Sequence, residues 1–133
     1  MSRLKIGWAE EDISPTKKIY LEGQFAERIS EYIEKPLTVT AMAIECGTDQ
    51  MIPVSCDLVH IPYTFSDRVK KAFERNEMGI DPLKIMVCAI HTHTGYGIGG
   101  GHLPGRHFWC SSAAAKRAIF PRKRRKNMVI LPQ

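Results

Sequence analysis

The chain has 133 residues, 44% hydrophobic and 25% charged, a balance that suits one globular domain with a real core. No stretch approaches the roughly 20 apolar residues of a membrane-spanning helix, and no apolar leader opens the sequence, so a cytoplasmic location is expected. The net charge of +5 is uneven: residues 1–99 hold all 14 acidic residues against 11 basic ones, while residues 100–133 hold 8 basic residues and no acid.

In chain order, Leu4–Ala9 alternates loosely and reads as a first strand. Glu10–Pro15 follows as a turn or extended link, with Pro15 keeping Ser14 out of helical space. Residues 19–35 are ambiguous. Phe25, Ile29, Tyr32 and Ile33 suit a helical face, but Gly23 and the short apolar stretch weaken it, so a helix and a loop with one or two helical turns are equally expected. From Leu37 the pattern sharpens. LTVTAMAIEC, the turn residues GTDQ and MIPVSCDLV form a β-hairpin signature, with Pro53 requiring a bulge or an unpaired ladder position.

Residues 64–77 place Phe65, Val69, Ala72 and Phe73 on one face of an amphipathic helix, with Gly79 as its stop and a turn opening at Asp81-Pro82. Leu83–Ile90 is almost continuously apolar and reads as a strand buried on both faces. Strand 50–57, helix 64–77 and strand 83–90 then make a βαβ unit, whose strands end at Asp57 and at His91/His93. Ligands in such sheets collect beyond the carboxyl ends of the strands. The fold class expected is α/β, a mixed sheet with a β-hairpin and a βαβ unit. It is an incomplete, truncated domain over residues 1–99, followed by a glycine-rich and then basic, disordered tail over residues 100–133.

Cys46, Cys56, Cys88 and Cys110 form no CxxC pair, and three of them sit in apolar runs, so reduced, buried thiols are expected in place of a disulfide framework. The chemistry centres on "AIHTHTG". Residues i and i+2 of an extended chain share a side, so His91 and His93 can address one space. Neutral imidazole is a ready zinc ligand, but a catalytic zinc needs three protein ligands, and the bland reading is two loop histidines capping a sheet. Asp57 is either a carboxylate that orients a ligating imidazole or an ordinary strand-end cap. His60 and His102 read as solvent-facing.

The succession IGWAEEDISP, PLTVTAMAIECG, IPVSCDLVHI, a helix and IMVCAIHTHTG resembles the N-terminal portion of the neutral/alkaline non-lysosomal ceramidase family. Gly7, Ala9, Asp12, Ile13, Ser14 and Pro15 match its opening motif, Asp57-Leu58 its second, and His91-Thr92-His93-Thr94-Gly95 its third. The resemblance covers residues 4 to about 100. It implies a zinc-dependent amidase that cleaves the N-acyl amide bond of ceramide-like lipids. It also implies that His91 is a zinc ligand and that His93 is catalytic, binding substrate or stabilising the oxyanion.

The departures are as informative. The family's remaining zinc ligands lie far downstream of the histidine motif, and no acidic residue follows Asp81 here. A truncated product, with a frameshift near Gly100–Gly105 and no activity alone, is therefore the expectation. An open sheet edge and an uncovered apolar face should favour self-association. Two other readings compete. Barrel amidohydrolases and metallo-β-lactamase-like enzymes also carry HxH, but at other positions or with a following aspartate. A small non-enzymatic protein would instead use Arg122–Lys126 to bind nucleic acid or an anionic surface, although Phe108, Trp109 and Phe120 lack the spacing of a base-stacking platform.

Overall fold

A computed structural model describes residues 3–75, 79–98 and 128–130. Its sheet has the order β4-β3-β2-β1-β5. The strands are β1 (Leu4–Asp12), β2 (Thr38–Cys46), β3 (Asp49–Cys56), β4 (Ile85–Ala89) and β5 (Met128–Ile130), with one helix, α1 (Tyr63–Arg75). The mixed α/β architecture expected from the sequence is the one observed. β2 and β3 form the antiparallel hairpin, and β3-α1-β4 is a βαβ unit with parallel strands.

Local chemistry accounts for most boundaries. Gly47 takes φ 63° at the first loop position of the β2–β3 hairpin, a conformation that matches strand twist and that glycine reaches without steric penalty. Pro53 is absorbed by an unpaired ladder position: β2 and β3 pair at Ala41↔Val54 and again at Ile44↔Met51, in one register with no bulge. Pro53 has no N–H to give β2, and it still aligns with Met86 of β4. β1 runs on to Asp12, three residues into the expected link, because Glu10, Glu11 and Asp12 keep their register with Thr40, Val39 and Thr38.

Two expectations are corrected and one is sharpened. Residues 19–35 carry no helix; Tyr20 and Ile29 form an isolated antiparallel bridge instead. The Asp81-Pro82 turn is a short 3-10 turn over Pro82–Lys84, capped by the Asp81 carboxylate accepting from the Leu83 N–H at 2.9 Å. β4 is covered by α1 on one face and left uncovered on the other among the described residues: Ile85 is buried while Met86 and Cys88 are exposed. A continuous apolar run did not require burial on both faces.

The registers put Val39, Ala41, Val54, Cys56, Ile85 and Val87 on one face of the sheet. α1 covers the β3–β4 side, where Val69 and Phe73 pack with Ile85, Ile52 and Val87. Ile13, Ile19, Leu58 and Tyr96 cover the β2–β3 side. The opposite face carries Trp8, Met42, Met51 and Met86, all exposed, so an apolar face stays uncovered among the described residues. Cys56 is buried as expected, but Cys46 and Cys88 are exposed on that side or its margin; all three are free thiols. Cys110 lies outside the described residues. So does the tail expected to be disordered, apart from Met128–Ile130, which pair with Lys5–Gly7.

Candidate functional site

Beyond β4 the chain does not stay extended. The Ile90 N–H donates to the Cys56 carbonyl at 3.0 Å, and the N–H groups of His91 and Thr92 both donate to the Leu58 carbonyl, at 3.0 and 3.2 Å. Sharing that acceptor turns the chain, and His91 sits at φ 66°. A non-glycine residue there carries roughly 1–3 kcal/mol of strain, which persists only where surrounding bonds enforce it and so marks a place to look for function.

Side-chain bonds enforce it here. The His91 Nδ1 lies 2.8 Å from the Val59 carbonyl, and a carbonyl only accepts, so Nδ1 carries the hydrogen. In the neutral ring the Nε2 lone pair of His91 is therefore bare. The Nε2 of His93 lies 3.3 Å from it, with the rings edge to face at a centroid separation of 4.9 Å. The two imidazoles do address one space, as the sequence suggested, but through a turn and not through extended alternation. With His91 accepting, His93 is the Nε2–H donor of the pair.

The loop after His93 is fastened twice. Gly95 is buried, and a Cβ there would stand 3.0 Å from the Asp57 carbonyl, so only glycine lets this loop approach the end of β3. The Tyr96 hydroxyl donates to the Ile13 carbonyl at 3.0 Å, joining the histidine loop to the Asp12-Ile13-Ser14 turn. In that turn the Ser14 N–H donates to Asp12 Oδ1 at 2.7 Å. The Ser14 side chain first, and then its backbone N–H, hold the Asp12 carboxyl below its ordinary pKa.

Asp57 does not orient a histidine. Its Oδ2 accepts from the Thr38 N–H at 2.8 Å and from the Thr38 hydroxyl at 3.0 Å, which makes it a strand-end cap. The Val59 carbonyl holds His91 instead, a backbone group that no sequence pattern announces. His60 is half-exposed, with Nδ1 3.5 Å from Glu22 Oε2. Glu22 was not singled out from sequence, since a lone carboxylate in an irregular stretch carries no signal. Its Oε2 is buried and accepts no hydrogen bond, with the His60 Nδ1 standing 3.5 Å away. His102 and Arg122–Lys126 lie outside the described residues.

As a metal donor set the site is partial. The 3.3 Å between the two Nε2 atoms is close to the donor–donor edge of about 3.3 Å implied by tetrahedral zinc with bonds of ~2.0–2.1 Å. Among the described residues, however, no group of three or more His, Cys, Asp or Glu side chains is placed to hold a metal. The imidazole chemistry suits zinc, and these residues supply at most two corners of a site. No helix among the described residues is long and apolar enough to cross a membrane.

No protein-family profile and no curated protein matches the chain. Solved structures do. Neutral ceramidase from Pseudomonas aeruginosa superposes over 74% of this chain with a TM-score of 0.63 at 20% sequence identity. A structure described as ceramidase complexed with C2 superposes over 74% with a TM-score of 0.56 at 21% identity. The chain spans 16% of the length of each. At that identity the likeness is one of fold, and over the superposed portion the fold is ceramidase-like.

Proposed function

We propose that the chain carries the histidine corner of a zinc-dependent, ceramidase-type amidase, with His91 as a metal ligand and His93 as the catalytic group beside it. The observation that carries this reading is the paired geometry: His91 Nδ1 donates to the Val59 carbonyl, which leaves Nε2 bare and facing His93 Nε2 at 3.3 Å. A backbone acceptor behind a ligating histidine is the usual way to set its tautomer and raise its basicity. His93, as the Nε2–H donor, is suited to hold the negative charge that develops on an amide oxygen. Zinc, when bound, supplies a Lewis acid for the amide carbonyl and makes water more acidic.

The substrate class in this reading is a lipid amide, after the ceramidases that share the fold. With His91 as the one assigned ligand a metal is held weakly, so the chain alone is a poor metal site and does not turn over substrate. Calorimetric titration of the full chain with Zn²⁺, beside His91→Ala and His93→Ala, tests the assignment. One weak site is expected, abolished by His91→Ala. Binding that survives His91→Ala, or tight stoichiometric zinc, would sink it. A fluorogenic N-acyl amide lipid should give no turnover with the isolated chain.

A further inference from the structure

The geometry points to the segment Glu22–Gln24 as a positioning strap that sets the plane of the His93 ring and so holds its Nε2 toward His91. This rests on reading His91 and His93 as the functional pair. Three consecutive strap residues each meet the histidine loop. The Glu22 N–H donates to the Gly95 carbonyl at 3.0 Å. Gly23, at φ 82°, lies so close to His93 that a Cβ there would stand 3.0 Å from ring atoms Cδ2 and Cγ and 3.1 Å from Nδ1. The Gln24 Nε2 donates to the His93 carbonyl at 2.8 Å.

The strap is itself fixed at its base. The Leu21 N–H donates to the Arg28 carbonyl at 2.9 Å, the Ser30 N–H to the Ile19 carbonyl at 2.8 Å, and Ile19 is buried in the core. The Glu22 side chain occupies the space that a Cβ on Gly97 would need and pairs with His60, which pins the other side of the strap to the loop after β3. Gly23 therefore meets two demands at once: a left-handed backbone and a bare surface against an imidazole. With Gly23 packed on the face of the His93 ring over Cδ2, Cγ and Nδ1, the ring plane is held so that Nε2 points toward His91.

The test uses the full, metal-free chain and its Gly23→Ala, Gly23→Asn and Gln24→Ala variants. Asn tolerates the left-handed region better than Ala but still brings a Cβ, so it separates contact with the ring from backbone strain. The readout is the imidazole ¹⁵N spectrum, which reports the tautomer of each ring, together with the Co²⁺ affinity of the same samples. Wild type should show His91 bare at Nε2 and His93 protonated at Nε2. Both Gly23 variants should lose that His93 signature, and Co²⁺ binding should weaken by about tenfold or more, the effect usual for losing a group that orients a ligand. Gln24→Ala, which keeps the glycine, should give a smaller loss of both.

Folded variants with wild-type His93 signals and wild-type Co²⁺ affinity would overturn the strap. If Gly23→Ala does not fold, the Gly23→Asn and Gln24→Ala spectra decide. If wild type binds no Co²⁺ but the Gly23 variants still lose the ring signature, the strap stands and the metal reading fails.

Discussion

Tyr96 offers the sharpest test of how the site is held. Tyr96→Phe removes one oxygen and little packing: the ring is 5% exposed, and its hydroxyl donates to the Ile13 carbonyl at 3.0 Å. Ile13 is itself buried, so its carbonyl loses a donor in a place that water reaches poorly. The net value of such a bond is about 0.5–1.5 kcal/mol, and a buried acceptor left without a partner costs about 1–3 kcal/mol, so a loss of about 1–2 kcal/mol is expected. With a urea dependence of roughly 1–3 kcal/mol per molar, the midpoint should fall by roughly 0.3–2 M with an unchanged slope. Because the bond ties the histidine loop to the Ser14 turn, the amides of His91 to Tyr96 should also exchange with solvent faster, by a factor of roughly 5–30. Urea unfolding and amide exchange on the same samples give both numbers. A midpoint within error of wild type, with exchange in the loop unchanged, would refute the view that this bond holds the site.

Three further predictions concern the scaffold. Phe73→Ala, at a side chain only 1% exposed between α1 and β4, should cost about 3–5 kcal/mol in chemical denaturation, with the loss appearing far from the histidine loop. Asp12 is depressed below its ordinary value of 3.8 by Ser14, so its stabilising effect is present above that pH and is lost as pH falls through the folded-state value. Asp12→Ala should accordingly lower the melting temperature near neutrality and flatten its fall in acid; an unchanged acid limb would refute the linkage. Met86→Lys places a charge on the exposed face of edge strand β4 and should suppress self-association in light scattering, whereas unaltered aggregation would show that another surface drives it.

How legible the fold was depends on periodicity. The hairpin could be read because LTVTAMAIEC and MIPVSCDLV keep a two-residue period on either side of Gly47, and α1 because Phe65, Val69, Ala72 and Phe73 keep a helical one. The uncovered apolar face follows from the same alternation. β4 was read correctly as the parallel partner of β3 but wrongly as buried on both sides, because an apolar run says nothing about how many layers cover a strand. Residues 19–35 offer only a partial helical period, which the fold does not use. Their order comes from contacts such as Gln24 with His93, which lie 69 residues apart.

The sequence by itself determined the hairpin, the βαβ unit and the placing of His91 and His93 just past the end of β4, since these follow from side-chain periodicity and turn chemistry over short stretches of chain. The tertiary structure alone decided which atoms face each other there. Val59 holds His91 through a backbone carbonyl, Asp57 is spent on Thr38, and Gly23 and Gln24 set His93 from across the fold. Backbone acceptors are the same in every residue, and the approach of a distant glycine leaves no local pattern. Only folding brings such groups within hydrogen-bonding reach.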